Sequence, residues 1–125
     1  MNMRLTKAER LSGKKDMARL FEKGNKLFSY PYRVVWRFSD DENQQLPVQI
    51  LISVSKRNFK KAVDRNQIKR YIRESYRKNK MILWDGLEDK KIIVAVLYIE
   101  KEIKDYSFFA KSMEKMLRDL KRKIE

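Results

Sequence analysis

Apolar and polar positions alternate in different periods along this chain, and the periods divide it into elements. From Ser12 to Lys23, Met17, Leu20 and Phe21 recur at helical spacing. Ser12 is placed to cap that helix, and Gly24 stands where a left-handed stop belongs. Tyr30 to Phe38 alternates with a period of two: Tyr32, Val34, Trp36 and Phe38 share one face, and Arg33, Val35 and Arg37 the other. Val48 to Ser55 is a second β-rich run. Its Ile50-Ile52 core is too continuous to leave one face in water, so both faces of that strand are expected to be covered. A helix follows from about Lys61 or Asp64 to about Lys80. Lys91 to Tyr98 is a buried strand. Asp105 can cap a last helix from Tyr106 to Lys123, with an apolar stripe of Phe109, Met113, Met116, Leu117, Leu120 and Ile124. Phe38, Ile50, Ile52, Ile68, Ile72, Val94, Val96, Leu117 and Leu120 are the candidate core. The order of elements predicts an α+β sandwich with helices against one sheet.

Residues 1–125 read as one domain, with about 1–5 and the last few residues expected to be loose. Three Gly and two Pro punctuate the chain, and there is no repeat or linker.

Charge changes this picture most. The chain carries +14 with a pI near 10.0. Lys56 to Lys80 alone holds eleven Lys or Arg against Asp64 and Glu74, a net +9. At about 100° per residue, Asn66, Lys69, Arg70, Arg73 and Arg77 fall within one arc roughly 100° wide. Ile68, Tyr71, Ile72, Ser75 and Tyr76 fall on another, and Gln67, Glu74 and Lys78 on a third. Guanidinium groups held side by side repel one another, and an extended polyanion relieves that cost. A phosphate backbone fits. Arg65 lies nearest the apolar arc, which suits a partly structural role and a carboxylate partner. Asn66 can donate and accept at once, as a ribose hydroxyl or base edge requires. Lys56, Arg57, Lys60 and Lys61 precede the helix, where free backbone amides add to their charge, so a second phosphate site is expected there.

Absences narrow the chemistry. Without His or Cys there is no imidazole acid or base, no thiolate and no Cys-ligated zinc. Asp40, Asp41 and Glu42 read as a solvated turn, not a metal cluster. No apolar run approaches a membrane span, and no signal peptide is visible, so the expected location is the cytoplasm.

Arg65-Asn66-x-x-Lys69-Arg70-x-x-Arg73-Glu74, preceded by Ser53-Val54-Ser55-Lys56-Arg57 and Ala62, closely resembles the hallmark of the bacterial ribonuclease P protein subunit. Asp16-x-x-x-x-Phe21-x-x-Gly24 is similar to that family's N-terminal helix, and the resemblance covers about Leu11 to Leu120. It implies an α-β-β-β-α-β-α sandwich with a mixed sheet and a left-handed βαβ crossover, of the ribosomal protein S5 domain 2-like kind. Chirality rules alone favour the right-handed crossover. Only three strands are visible in the pattern, so a fourth is expected as a piece of one of the first two runs. The resemblance further implies that a catalytic RNA performs the hydrolysis with Mg²⁺ that it mainly holds itself. The protein would have no catalytic or metal-binding residue. It would grip that RNA and the 5′ leader of precursor tRNA, with no membrane and no protein partner required. It also points to Met17, Phe21, Tyr32 and Trp36 as a leader-binding cleft on which unstacked bases rest, although Met17 stacks less well than an aromatic ring. The alternative for Tyr32 and Trp36 is an ordinary core on the sheet. Two rival functions stand beside this one: a non-catalytic RNA-binding module of the ribosomal or RNA-chaperone type, and a self-sufficient nuclease using carboxylates and Mg²⁺.

Overall fold

The computed structural model describes residues 9–10 and 14–125. The proposed cap Ser12 and the expected loose residues 1–5 lie outside the described residues. The elements are α1 (Lys14–Lys23), β1 (Asn25–Ser29), β2 (Tyr32–Phe38), β3 (Val48–Val54), α2 (Ala62–Asn79), α3 (Met81–Trp84), β4 (Ile92–Tyr98) and α4 (Tyr106–Ile124). The sheet order is β1-β2-β4-β3. β1 and β4 pair antiparallel with β2, while β3 pairs parallel with β4. That parallel pair is joined through α2 and α3, and the fold is α+β with a mixed sheet.

The strand count is corrected to four, and the fourth comes from neither expected run. β1 is Asn25-Lys26-Leu27-Phe28-Ser29, an edge strand of mixed polarity that closes a hairpin onto β2 through a cis Tyr30-Pro31 bond. Its local pattern is weak because only pairing with β2 makes it a strand. Gly24 is corrected as well, since no glycine among the described residues has positive φ. A Cβ there would lie 2.3 Å from the Leu20 carbonyl oxygen and 2.6 Å from Val35 Cγ1. Gly24 permits close approach of α1 to the sheet, not a left-handed turn.

Each sheet face has its own core. Tyr32, Val34 and Trp36 join Val48, Ile50, Ile92, Val94 and Val96 under α2 and α4. Val35, Ile93 and Ala95 form a smaller cluster beneath Leu20 of α1, with Met17, Leu51 and Leu97 packed against it. Ile50 and Leu51 therefore lie in opposite layers, and β3 is covered on both faces. Phe38, expected in the core, is 43% exposed. It ends β2 with its ring against Trp36 at 5.3 Å.

α4 begins where expected: the Asp105 carboxylate accepts from the Phe108 amide at 3.0 Å. Phe109, Met113, Met116, Leu117 and Leu120 are buried, and so is Ile124. The helix thus continues to Ile124, where a loose end was expected, because Ile124 completes the apolar stripe.

Candidate nucleic-acid interface

α2 presents its faces as the spacing requires. Ile68, Ile72, Ser75 and Tyr76 are buried against the sheet and α4. Asn66 and Arg70 are exposed, and Lys69, Arg73 and Arg77 are half-buried. Among the described residues, Lys69 and Arg70 have no ion pair, while Glu74 takes Lys78 at 3.3 Å. Asn66, Gln67, Arg70, Arg73 and Glu74 line a groove of about 530 Å³ along the helix. Asn66 and Arg70 are thus the most outward members of the stripe, and Glu74, which shares the groove, is paired with Lys78.

The basic loop is held from inside. Phe59 is buried with its ring near Tyr98, and its amide donates to the Ser55 carbonyl at 3.1 Å. Arg65 turns back and donates through Nη1 to the carbonyl oxygens of Phe59 (2.7 Å) and Lys60 (3.0 Å). The expected carboxylate partner is thus replaced by two carbonyls, and Arg65 positions the loop. Lys56, Arg57, Lys60 and Lys61 are all exposed. Lys61 caps α2 with extended backbone and no side-chain hydrogen bond, so no side chain caps the first amides of the helix.

The expected aromatic cleft does not form as drawn. Tyr32 is fully buried. Its hydroxyl lies 3.0 Å from Ser112 Oγ, and burial pushes its pKa up to about 12. Trp36 is 6% exposed in the same layer. Met17 and Phe21 are on the opposite face of the sheet, so the four residues cannot share a surface. Adjacent strand positions point to opposite faces, so Tyr32 and Trp36 lie in the core layer while Arg33 and Val35 face the α1 side. The mixed face, Arg33-Val35-Arg37, is the one that borders α1.

On that face lies a groove of about 640 Å³, lined by Phe21, Lys26, Phe28, Arg33, Val35 and Leu97, with Leu27 and Val34 at its margin. Phe21 is 44% exposed and Phe28 61%. Lys26, Phe28, Arg33 and Leu97 were missed from the sequence. Arg33 and Arg37 on one face of β2 were the available signal, because a face that mixes cations with a valine suits a wet groove better than an all-apolar one does. Lys26 and Phe28 carried no such signal, since β1 was not recognisable as a strand.

The acidic turn is ordered by its own contacts. Asp41 accepts from the Asn43 amide at 2.9 Å, and Gln44 is buried, donating to the carbonyl oxygens of Leu46 and Ile92. Arg37 pairs with Asp40 at 3.6 Å. Among the described residues no three His, Cys, Asp or Glu side chains are grouped to hold a metal ion.

A family model described as Ribonuclease P matches residues 5–124. A ribonuclease P protein component from Porphyromonas gingivalis is 36% identical over 115 residues, spanning 90% of this chain and 83% of the relative. That of Thermotoga maritima is 30% identical over 122 residues, spanning 98% and 97%. The solved RNase P protein of Staphylococcus aureus has a TM-score of 0.70 at 28% identity, covering 91% of this chain and 96% of that one.

Proposed function

Because the chain belongs to the ribonuclease P protein family, we propose that it divides its surface between two RNAs. It is the protein subunit of a ribonucleoprotein endoribonuclease that acts in tRNA 5′ processing. In our reading, Asn66, Lys69, Arg70, Arg73 and Arg77 of α2, with the Lys56-Lys61 loop, bind the catalytic RNA. Arg65 holds that loop to the helix. The sheet face beside Met17 and Phe21 takes the single-stranded 5′ leader of precursor tRNA, with Arg33 against its phosphates. Tyr32 and Trp36 leave the leader site and belong to the core that supports it.

One observation carries this reading: exposed Arg70 and half-buried Lys69 share one face of α2 with no acidic partner among the described residues. Cations crowded without counter-charge await an anion, and binding releases the counterions condensed on it. The protein's part is to bind and position. Its cations neutralise phosphates on both RNAs, which lets two polyanions approach each other, and no side chain has to move a proton. Mg²⁺, held mainly by the RNA subunit in this reading, would supply the hydrolytic chemistry. The work takes place in the cytoplasm, where tRNA precursors arise; among the described residues no helix is long and apolar enough to cross a membrane.

Reconstitution tests the proposal. The purified chain, a bacterial ribonuclease P RNA and precursor tRNA are combined at low Mg²⁺. Cleavage is expected only with RNA and protein together, and Phe21→Ala should lower affinity for precursor more than for mature tRNA. Cleavage by the protein alone would overturn the assignment of the chemistry to RNA.

A further inference from the structure

The α1 side of the sheet has a transverse row of four residues in register. Phe28 of β1 lies opposite Arg33 of β2, Arg33 opposite Leu97 of β4, and Leu97 opposite Ser53 of β3. Neighbouring strands are about 4.8 Å apart, so the row spans about 14 Å. Its β3 end leads through Ser55 into the basic loop. There Ser55, Arg57, Asn58 and Lys101 line a further groove. Its β1 end is the outer edge of the sheet, where Phe28 is more exposed than Phe21.

An isolated exposed phenylalanine needs no explanation. Phe28 is not isolated: it lines one groove with Phe21, Lys26 and Arg33, and Arg33 is its register partner on β2. No acidic side chain lines that groove. The groove beside Phe38 makes the contrast, since Asp40, Asp41, Glu42 and Asp89 there outnumber Lys90 and Lys91 and give it a net negative lining. Aromatic rings interleaved with cations are what single-stranded nucleic acid binds: bases stack and phosphates are neutralised.

We infer that Phe28 is a second stacking platform and Lys26 its phosphate contact, extending the single-strand groove across the sheet to the β1 edge. The occupant is the leader RNA, so the inference rests on the leader reading above. It adds a direction. The basic loop and α2 hold the catalytic RNA at the β3 side, so nucleotides near the cleavage point lie there. Phe28 receives nucleotides farther toward the 5′ end.

The test uses the reconstituted holoenzyme and precursor tRNAs whose leaders are shortened stepwise from the 5′ end. Phe28→Ala should weaken binding of the full-leader precursor about tenfold, as loss of one stacked base implies, and leave mature tRNA unchanged. Shortening should abolish the Phe28→Ala loss while the Phe21→Ala loss persists. Phe28→Tyr, which keeps the ring, should retain affinity. Wild-type affinity of Phe28→Ala at every leader length, with Phe21→Ala still discriminating, overturns the extension alone. A loss that includes mature tRNA also overturns it, by placing Phe28 on another part of the complex. Silence of both variants removes the leader reading itself.

Discussion

The Arg65 guanidinium donates to the carbonyl oxygens of Phe59 and Lys60 at 2.7 and 3.0 Å, so one side chain of α2 holds the end of the basic loop against the helix. Removing it leaves two carbonyls and a cationic loop without their anchor. Arg65→Ala should lower unfolding free energy by about 1–3 kcal/mol in urea titration, the range for charge-assisted hydrogen bonds. It should also weaken binding to the catalytic RNA, because the four loop cations lose their placement. Lys at this position restores the charge but not the fork, so Arg65→Lys should recover only part of the stability. Full stability in Arg65→Ala would show that the loop is anchored by Phe59 alone.

Arg70 is exposed and Lys69 half-buried, and neither has an ion pair among the described residues. Lys69→Ala and Arg70→Ala should each cost about 1–3 kcal/mol in binding the catalytic RNA while leaving the melting temperature unchanged. Each should also reduce the slope of log K against log salt by about 0.7–0.9, one phosphate's worth of released counterion. An unchanged slope would remove these residues from the interface.

Trp36 and Tyr32 test the reassigned face of β2. Trp36→Ala opens a cavity under α2 and α4 and should cost about 3–5 kcal/mol of stability. Wherever the variant remains folded, the ratio of precursor to mature tRNA affinity should stay at the wild-type value. Tyr32→Phe removes only the hydroxyl facing Ser112 and should cost about 1 kcal/mol. A selective loss of precursor binding in either variant would return the leader to this face.

Gly24 is constrained by space. A methyl group there meets the Leu20 carbonyl and Val35 Cγ1, both in tightly packed surroundings. Gly24→Ala should destabilise the protein by about 1–3 kcal/mol, the usual cost of overpacking. Because α1 shifts, leader discrimination should fall with it. Chemical-shift changes centred on Leu20 and Val35 would confirm the cause.

Asp105 gives a pH dependence of definite sign. The Phe108 amide and then the Ser107 hydroxyl hold its carboxyl below the ordinary 3.8. The folded value is the lower one, so the cap's contribution is present above pH 3.8 and is lost as pH falls through the folded value. Asp105→Ala should lower the melting temperature by a few degrees at neutral pH. That gap should narrow on acidification below 3.8. Asp105→Asn should keep part of the cap with no such dependence.

The middle helix was legible because everything that defines it is local. Helical period sorts Ile68, Ile72 and Tyr76 from Asn66, Lys69 and Arg70 without reference to the rest of the chain, and the cationic arc follows from the same count. Asp105 and the stripe from Phe109 to Ile124 were legible for the same reason. Alternation along β2 was also local, and it correctly separated Tyr32 and Trp36 from Arg33 and Val35.

Which helix covers which face of the sheet is not a local property. It depends on where α1, α2 and α4 cross the strands after residues tens of positions apart have met. Only the tertiary structure put Tyr32 and Trp36 under α2 and α4, and left Arg33 and Val35 beside Phe21. It also made a strand of Asn25–Ser29, which β2 supplies with its hydrogen bonds. The sequence by itself determined a cationic helix and the polymer it suits. Burial, which long-range packing controls, decided which aromatic rings are left for a base to stack on.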